Sequence, residues 1–440
     1  MARIAIVGSG SMVFTQQVVS DLLSYPECRN MDFRLVDIDR GRLDTSTKMV
    51  ARMIEEVGGK GKATPYENRR EALRGVDYCV NSIQVGGFSA TESDFEIPRR
   101  FGVEQTIGDT LGIGGIFRGL RTIPAVLEIA RDLSEESPNA VFLNYTNPMS
   151  MVIEAIHEVL PGLKSFGLCH SVHYTAEKLA TYVGVPFSEL TWQSAGINHM
   201  AWMLKLEHEG GDLYPRLFQL AKDPETFGKD PVRFELMEHL GYFVTESSEH
   251  NAEYSAHFLP HPSEVSRLSI PIGEYLRRSR NHLDEYADVR RRLENPNERF
   301  LLHSSPEYAP AFVHAMESGT TWWFQGNVSN HAGLIPNLPT RAAVEVPCLV
   351  NQHGCLPTSV EVLPEQLAAM NRVAINVQTL TVEAAITGNR DAVYQAAMMD
   401  PLLAAQLPLS RIWQLVDEMF QAHGTTLPTY SSRRLWAYDH

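Results

Sequence analysis

Residues Arg3 to Val7 form a short β-rich run that ends in Gly8-Ser9-Gly10-Ser11, and Val13 to Leu23 then takes up helical spacing. Strand, tight glycine turn and helix in that order begin a βαβ unit, which requires a parallel sheet flanked by helices and gathers ligands at the C-terminal ends of its strands. A second strand pattern, Phe33 to Val36, ends at Asp37, 27 residues beyond Gly10. A carboxylate there accepts both hydroxyls of an adenosine ribose and repels a 2′-phosphate. The unit therefore favours NAD over NADP, with Gly8, Ser9, Gly10 and Ser11 around the pyrophosphate. Val13 stands where the dinucleotide fingerprint has its third glycine, so the motif is partial and its strand-turn-helix context carries the reading. Asp39 reads instead as the cap of a helix over Leu43 to Ile54.

Further strand patterns deliver their ends to the same rim. Tyr78 to Ile83 finishes in Gln84-Val85-Gly86-Gly87, Ala140 to Leu143 in Asn144-Tyr145-Thr146-Asn147-Pro148, and Lys164 to Leu168 in Cys169-His170. Gln84 and Asn144 are accordingly expected at the cofactor. From about residue 175 the alternation gives way to β-like runs at Leu190 to Ser194, Ala201 to Glu207 and Ala342 to Val346. Helical patterns follow at Pro364 to Thr387 and Ala392 to Met399, with a proline-containing loop expected over 257–271. The expected fold class is α/β. A Rossmann-like, doubly wound parallel sheet of the lactate/malate dehydrogenase type spans 1–175, and an α+β substrate, metal and oligomerisation domain spans 176–440. A length of 440 residues suits two cores better than one.

With 53 acidic against 38 basic residues and a net charge of −15, the chain lacks the basic excess that nucleic acid demands. No stretch reaches the roughly 18 apolar residues of a membrane span, and the first residues run straight into a strand without a leader pattern. The expectation is a cytoplasmic protein with neither membrane nor nucleic-acid partners. Its five cysteines are scattered and odd in number, which argues for reduced thiols. Cys28, Cys79, Cys348 and Cys355 sit in apolar surroundings and read as packing residues, whereas Cys169 stands among ligand-type residues.

Cys169-His170-Ser171-Val172 and Asn198-His199, thirty positions from Cys169 to His199, add soft metal ligands to a dinucleotide-binding chain. A thiolate and an imidazole together suit a borderline or softer divalent ion. Both segments follow apolar strand-like runs, so both side chains can project into one crevice. Asp109-Thr110-Leu111-Gly112-Ile113-Gly114-Gly115 precedes a long helical pattern holding Arg118 and Arg121; Asp109 either faces substrate or caps that turn. Asn144 and Asn147 either contact ligands or shape an Asn-Pro turn. On these residues alone, a net dehydrogenase and a catalytically silent NAD-binding protein both remain open.

Taken in order, Gly8-Ser9-Gly10, Asp37-Ile38-Asp39, Asp109 to Gly115, Asn144 to Pro148, Gly167-Leu168-Cys169-His170-Ser171-Val172 and Ala195 to Met200 resemble glycoside hydrolase family 4. The resemblance continues through Asn337-Leu338-Pro339, Val344 to Pro347, Asn376 to Leu380 and Met399-Asp400-Pro401. The Cys-His-Ser-Val form and the segment Gly241 to His250 look like the melibiase-type α-galactosidase branch. Phosphosugar branches carry Asp or Asn after the cysteine, so His170 points to an unphosphorylated sugar. The resemblance implies NAD⁺, Mn²⁺, a reducing environment and a homodimer or homotetramer acting on small α-galactosides such as melibiose. An α-glucosidase or another α-glycosidase of the family is the alternative substrate class.

The implied reaction avoids the usual displacement between paired carboxylates. A hydride leaves sugar C3 for NAD⁺, the ketone acidifies the C2 proton, elimination expels the aglycone, water adds and the hydride returns, with no net redox change. On family resemblance Cys169 and His199 hold the metal, which polarises the C2 and C3 oxygens. Asp109 acts beside the substrate, Asn147 and Asn198 hold it, and His170 assists leaving-group departure or bonds the sugar. Other branches take the C2 base, a Tyr or Asp, from the region corresponding to Ser247 to Tyr254. This chain departs there and offers Glu249, His250 and Tyr254, of which His250 and Glu249 are preferred. Glu345 and His353 read as structural.

Overall fold

The computed structural model describes residues 2–301, 305 and 307–432. Its first six strands, β1 (Arg3–Val7), β2 (Asp32–Val36), β3 (Lys62–Tyr66), β4 (Tyr78–Asn81), β5 (Val141–Asn144) and β6 (Lys164–Leu168), are parallel and lie in the order β3-β2-β1-β4-β5-β6. This is the doubly wound order, with its switch point between β1 and β4. β1, β4 and β5 read as near-continuous apolar runs because helices cover both faces. β3 carries Pro65 and lies at the sheet edge, where a missing N–H costs nothing. Asp39 caps the helix Arg40–Glu56, its Oδ1 accepting from the Gly41 and Arg42 amides at 2.8 and 3.0 Å.

The sheet does not stop at β6. Six more strands follow in the chain: β7 (Thr191–Ile197), β8 (Met200–His208), β9 (Gly211–Asp212), β10 (Trp322–Ser329), β11 (Ala343–Asn351) and β12 (Gly354–Pro357). β10 pairs antiparallel with β6 through Gly326 against Leu168 and Asn327 against Gly167, and the order continues β10-β11-β7-β8-β9, with β12 beside β11. Gly167 permits this junction: a Cβ there would lie 2.8 Å from the Asn327 Cβ and 2.5 Å from the Met149 sulfur. One buried apolar cluster runs from Ile4 to Leu427 through both halves, and a satellite forms around Leu206, Leu217, Phe234 and Phe243. The helix Ser171–Val183 runs through position 175, so sheet, core and helix all cross the expected boundary.

The helices expected late in the chain are present as Glu365–Thr387 and Arg390–Met399. The stretch expected as loop over 257–271 instead contains a short helix, Pro262–Arg267, with proline at its first position, where the missing N–H has no partner to lose. Among the described residues no helix is long and apolar enough to cross a membrane.

Candidate active site

The C-terminal ends of β1, β2 and β4 build a glycine-lined rim. Gly8 takes φ +89°, and a Cβ on it would lie 2.8 Å from the Ser82 backbone, so glycine is required where the β1 and β4 loops touch. The Gly8 and Ser9 amides donate to the Val36 carbonyl at 2.9 and 3.1 Å, while Ser9 is buried and Ser11 precedes the helix Met12–Ser24. Asp37 Oδ2 accepts from the Gly10 amide at 2.7 Å, and Oδ1 accepts from the Asp39 amide at 2.9 Å. The carboxylate expected at a ribose thus also fixes the glycine turn. Gln84 lies in the loop after β4, its amide 3.5 Å from the Thr91 hydroxyl. Asn144 is fully buried, accepting from Asn81 at 2.9 Å and donating to the Thr146 carbonyl at 3.0 Å, so its amide ties β4 to β5.

Beyond this rim, Asp109, His199 and His250 are brought together from three distant segments. Their ligand atoms all lie within 4.8 Å of one another and all three residues are buried. Asp109 sits at the end of the Thr106–Thr110 loop, ahead of the helix Gly112–Glu136; its Oδ1 accepts from the Thr110 hydroxyl at 2.8 Å and its Oδ2 from the Asn147 amide at 3.0 Å. His199 occupies the tight turn between β7 and β8 at φ +64°, with the hydroxyls of Thr110 and Tyr254 at 3.1 and 3.3 Å from Nδ1. His250 lies on the helix Ser248–Glu253, its Nε2 3.6 Å from Asp109 Oδ1 and its Nδ1 2.6 Å from Glu246 Oε2.

The electrostatics of this cluster divide the two imidazoles. Burial and the neighbouring His250 charge lower the His199 pKa, which keeps a neutral, ligating ring. Burial also disfavours a charged His250, but the carboxylates of Glu246 and Asp109 outweigh it and raise its pKa well above the usual range. Burial likewise opposes charge on Asp109 and Glu246. The hydrogen bonds and charge of His250 prevail and hold both carboxyls well below the usual carboxylate range.

Cys169 follows β6 and lies half-buried against Met149, Ile153 and Ala343, its thiol donating to the Ser171 hydroxyl at 3.2 Å. It is not a member of the three-residue cluster; what it shares with His199 is a neighbour, the fully buried Glu345 of β11. Burial and then the Cys169 charge push the Glu345 carboxyl well above its ordinary pKa. Asn327 donates to it at 2.9 Å, and Asn198 stands beside it with neither amide atom in a well-formed hydrogen bond. His170 begins the helix Ser171–Val183, half-exposed, with Nδ1 3.6 Å from Glu307. Hydrogen bonding to Glu307, against the opposing effect of burial, raises its pKa to about 9. A cavity of about 470 Å³ opens here, lined by His170, Glu246, Glu249, Arg233 and Arg278 among others.

The structure separates the two preferred base candidates. His250 faces Asp109 inside the cluster, whereas the Glu249 carboxylate turns toward Arg278 at 3.9 Å and only its carbonyl joins the Asp109 loop, accepting from the Thr106 hydroxyl at 2.6 Å. Sequence reasoning did not single out Glu246, Glu253 or Glu307, and it set Glu345 aside. A signal for Glu345 was present: a lone carboxylate at an inward position of an otherwise apolar strand, Ala-Val-Glu-Val-Pro, needs a polar partner. Cys28, Cys79 and Cys348 are buried and Cys355 half-buried, all four free, and burial pushes the Cys28 and Cys79 thiols up to about 12.

Two family models match the chain, one for family 4 glycosyl hydrolases over residues 3–185 and one for the C-terminal domain of that family over residues 194–403. An α-galactosidase of Bacillus subtilis (strain 168) is 43% identical over 434 residues, covering 98% of this chain and 100% of that protein. An α-galactosidase of Rhizobium meliloti (strain 1021) is 34% identical over 442 residues, covering 98% and 90%. The fold is that of a 6-phospho-β-glucosidase of Thermotoga maritima, solved with manganese, NAD⁺ and glucose-6-phosphate, at TM-score 0.79 and 20% identity over 97% of this chain and 100% of that one. With the matched segments spanning most of its length and the strand-end rim and buried cluster in place, the chain belongs to glycosyl hydrolase family 4.

Proposed function

We propose that this protein hydrolyses small α-galactosides such as melibiose, using NAD⁺ and Mn²⁺. The observation that carries the reading is the buried Asp109, His199 and His250 cluster beside a dinucleotide rim, in a chain 43% identical to an α-galactosidase. The residues present fit both groups. The Gly8 to Ser11 turn and Asp37 have the form of a pyrophosphate and ribose cradle, and the Asp109 carboxylate beside the neutral His199 imidazole is a donor pair suited to Mn²⁺. His199 is the central ligand in this reading, with Cys169 and Asp109 as its partners.

Bound, the nicotinamide would take and return the C3 hydride while the divalent ion polarised the neighbouring sugar oxygens. Asn147, which already donates to Asp109 at 3.0 Å, holds sugar hydroxyls together with that carboxylate. Asn198, buried beside Glu345, has amide capacity to spare for the sugar. His250 is the first choice for the C2 base, a role open to its neutral form only, since Glu246 at 2.6 Å and Asp109 favour the imidazolium. His170, with its pKa near 9, carries a proton at neutral pH and donates it to the departing glycosidic oxygen. Gln84 and Asn144 complete the cofactor side, Asn144 by fixing its loop. Glu249 is the second choice for the base.

The same reading includes a homodimer or homotetramer in the cytoplasm, and two sequence units that share one sheet and core, supported by the separate family matches to 3–185 and 194–403. The test is turnover of paired aryl α-galactoside and α-glucoside in D₂O with NAD⁺, Mn²⁺ and thiol. The expected result is galactose carrying deuterium at C2 and no net NADH. Activity without NAD⁺ and without C2 exchange would refute the mechanism, and faster glucoside turnover would refute the sugar assignment.

A further inference from the structure

A second cavity, of about 360 Å³, shares no lining residue with the first and contains none of the cluster residues. Its walls are aromatic: Tyr25, Phe187, Trp192, Trp322 and Trp323 all line it. Trp192 and Trp323 meet at 5.0 Å between ring centroids with planes 54° apart, which splays the two indoles, and Trp323 is 48% exposed. It lies along the stretch of β10 where β6 has already ended: Leu168 pairs with Gly326, so Trp322 to Gln325 extend beyond β6.

Two side chains in this cleft carry buried polar atoms without partners. Gln325 is 1% exposed and neither its amide nitrogen nor its amide oxygen makes a hydrogen bond. Glu307 directs Oε1 toward His170, and its buried Oε2 has no partner. Leaving such groups unmet costs about 1–3 kcal/mol each, so a site that retains them is built for a ligand that supplies the missing bonds.

The lining chemistry selects that ligand. The first cavity carries Lys178, Lys229, Arg233 and Arg278, whereas among the described residues the second has no Lys or Arg and includes Asp21 and Glu307, which disfavours phosphates and other anions. Splayed indole faces, negative at their centres, pack against the partly positive C–H faces of a pyranose ring. An amide that both donates and accepts, with an acceptor carboxylate oxygen, matches sugar hydroxyls. The volume lies within the usual range for small-ligand pockets, about 300–1,000 Å³. We propose that this cleft binds a neutral saccharide at a site separate from the Asp109, His199 and His250 cluster.

The probes are cellobiose and xylobiose, neither of which contains an α-glycosidic bond, so the outcome does not depend on the catalytic reading. Binding is read by intrinsic tryptophan fluorescence and saturation-transfer NMR on the full chain. Expected are saturable binding of at least one sugar, weakened about tenfold by Trp323→Ala and restored by Trp323→Phe. The kcat/KM for a small aryl α-galactoside should stay within about twofold in both variants, because Trp323 touches none of the cluster residues. No saturable binding, equal binding to wild type and Trp323→Ala, or binding of choline in place of either sugar would overturn the proposal.

Discussion

Glu253 poses a direct contest between burial and hydrogen bonding. Its Oε1 accepts from the amides of Thr106, Ile107 and Gly108 at 2.5, 2.9 and 3.0 Å, and its Oε2 from Gly108 at 3.0 Å, so it pins the loop that presents Asp109 to the helix that presents His250. Burial outweighs these donors and raises its pKa from 4.5 to about 7. A carboxyl whose folded pKa is raised contributes stability that is fully present below the unfolded value and is lost as pH climbs through the folded value. At about 1.4 kcal/mol per pKa unit, the wild type loses about 3 kcal/mol of stability through this group by pH 8. The neutral amide of a Glu253→Gln variant has no such titration. The variant should therefore be close to neutral at pH 5, where Glu253 is mostly protonated, and more stable than wild type by about 2 to 3 kcal/mol at pH 8. With an unfolding entropy near 2 cal/mol/K per residue, that is a rise of about 3 °C in Tm. Urea midpoints and thermal melts of both proteins at pH 5 and pH 8 measure the crossover. A variant equally destabilised at both pH values would show that the three amides keep Glu253 ionised, and the reasoning would fail.

Three further outcomes follow from the same geometry. Glu246→Gln, which removes the carboxylate 2.6 Å from His250 Nδ1, should shift the limb of the kcat/KM–pH profile that reports His250 to lower pH on an aryl α-galactoside, and Glu246→Asp should keep it near the wild-type position; an unmoved limb in Glu246→Gln would show that the two groups do not couple. Asp94→Asn should cost about 3 to 5 kcal/mol in denaturant unfolding, because Asp94 is buried between Arg121 at 2.5 Å and His423 at 2.9 Å and its loss leaves a guanidinium unpaired. Gly8→Ala should abolish NAD⁺ binding in a fluorescence titration, since the new Cβ would lie 2.8 Å from the Ser82 backbone at φ +89°; unchanged affinity would show that the rim rearranges freely.

The N-terminal half is legible in the sequence because its contacts are local in kind: the central parallel strands are short apolar runs, and β1, β2, β4, β5 and β6 end in glycine, aspartate, asparagine or cysteine at the rim. β10 escapes such reading. Trp322 to Ser329 mixes aromatic, glycine and polar residues without alternation, and its place beside β6 is set by Gly167 and Gly326 approaching across more than 150 positions, which no local pattern encodes. The site divides the same way. Cys169, His199 and Asn147 could be found from residue type after strands, and Asp109 from its place before a glycine-rich helix start. Glu253 could not, because its role rests on three amides 145 to 147 positions away.

His199, found from its residue type, and Glu246, which was not, share a backbone state that no residue pattern announces. His199 at φ +64° and Glu246 at φ +73° are two of the four described residues other than glycine with positive φ; His199 belongs to the buried cluster and Glu246 contacts its His250. Each left-handed conformation costs a side chain about 1–3 kcal/mol. At His199 the cost is imposed by the two-residue turn between β7 and β8, where Gly196 packs against the Met200 carbonyl so closely that a Cβ would lie at 2.6 Å. At Glu246 the backbone turns just before the helix Ser248–Glu253, after Thr245 has bonded to the Ala201 carbonyl at 2.9 Å. β8 is common to both constraints: it closes the turn that aims His199 and holds the segment that aims Glu246 at His250. A rigid sheet can therefore fix the imidazole pair from two sides, and the strain is kept where glycine would relax the backbone but remove the functional group.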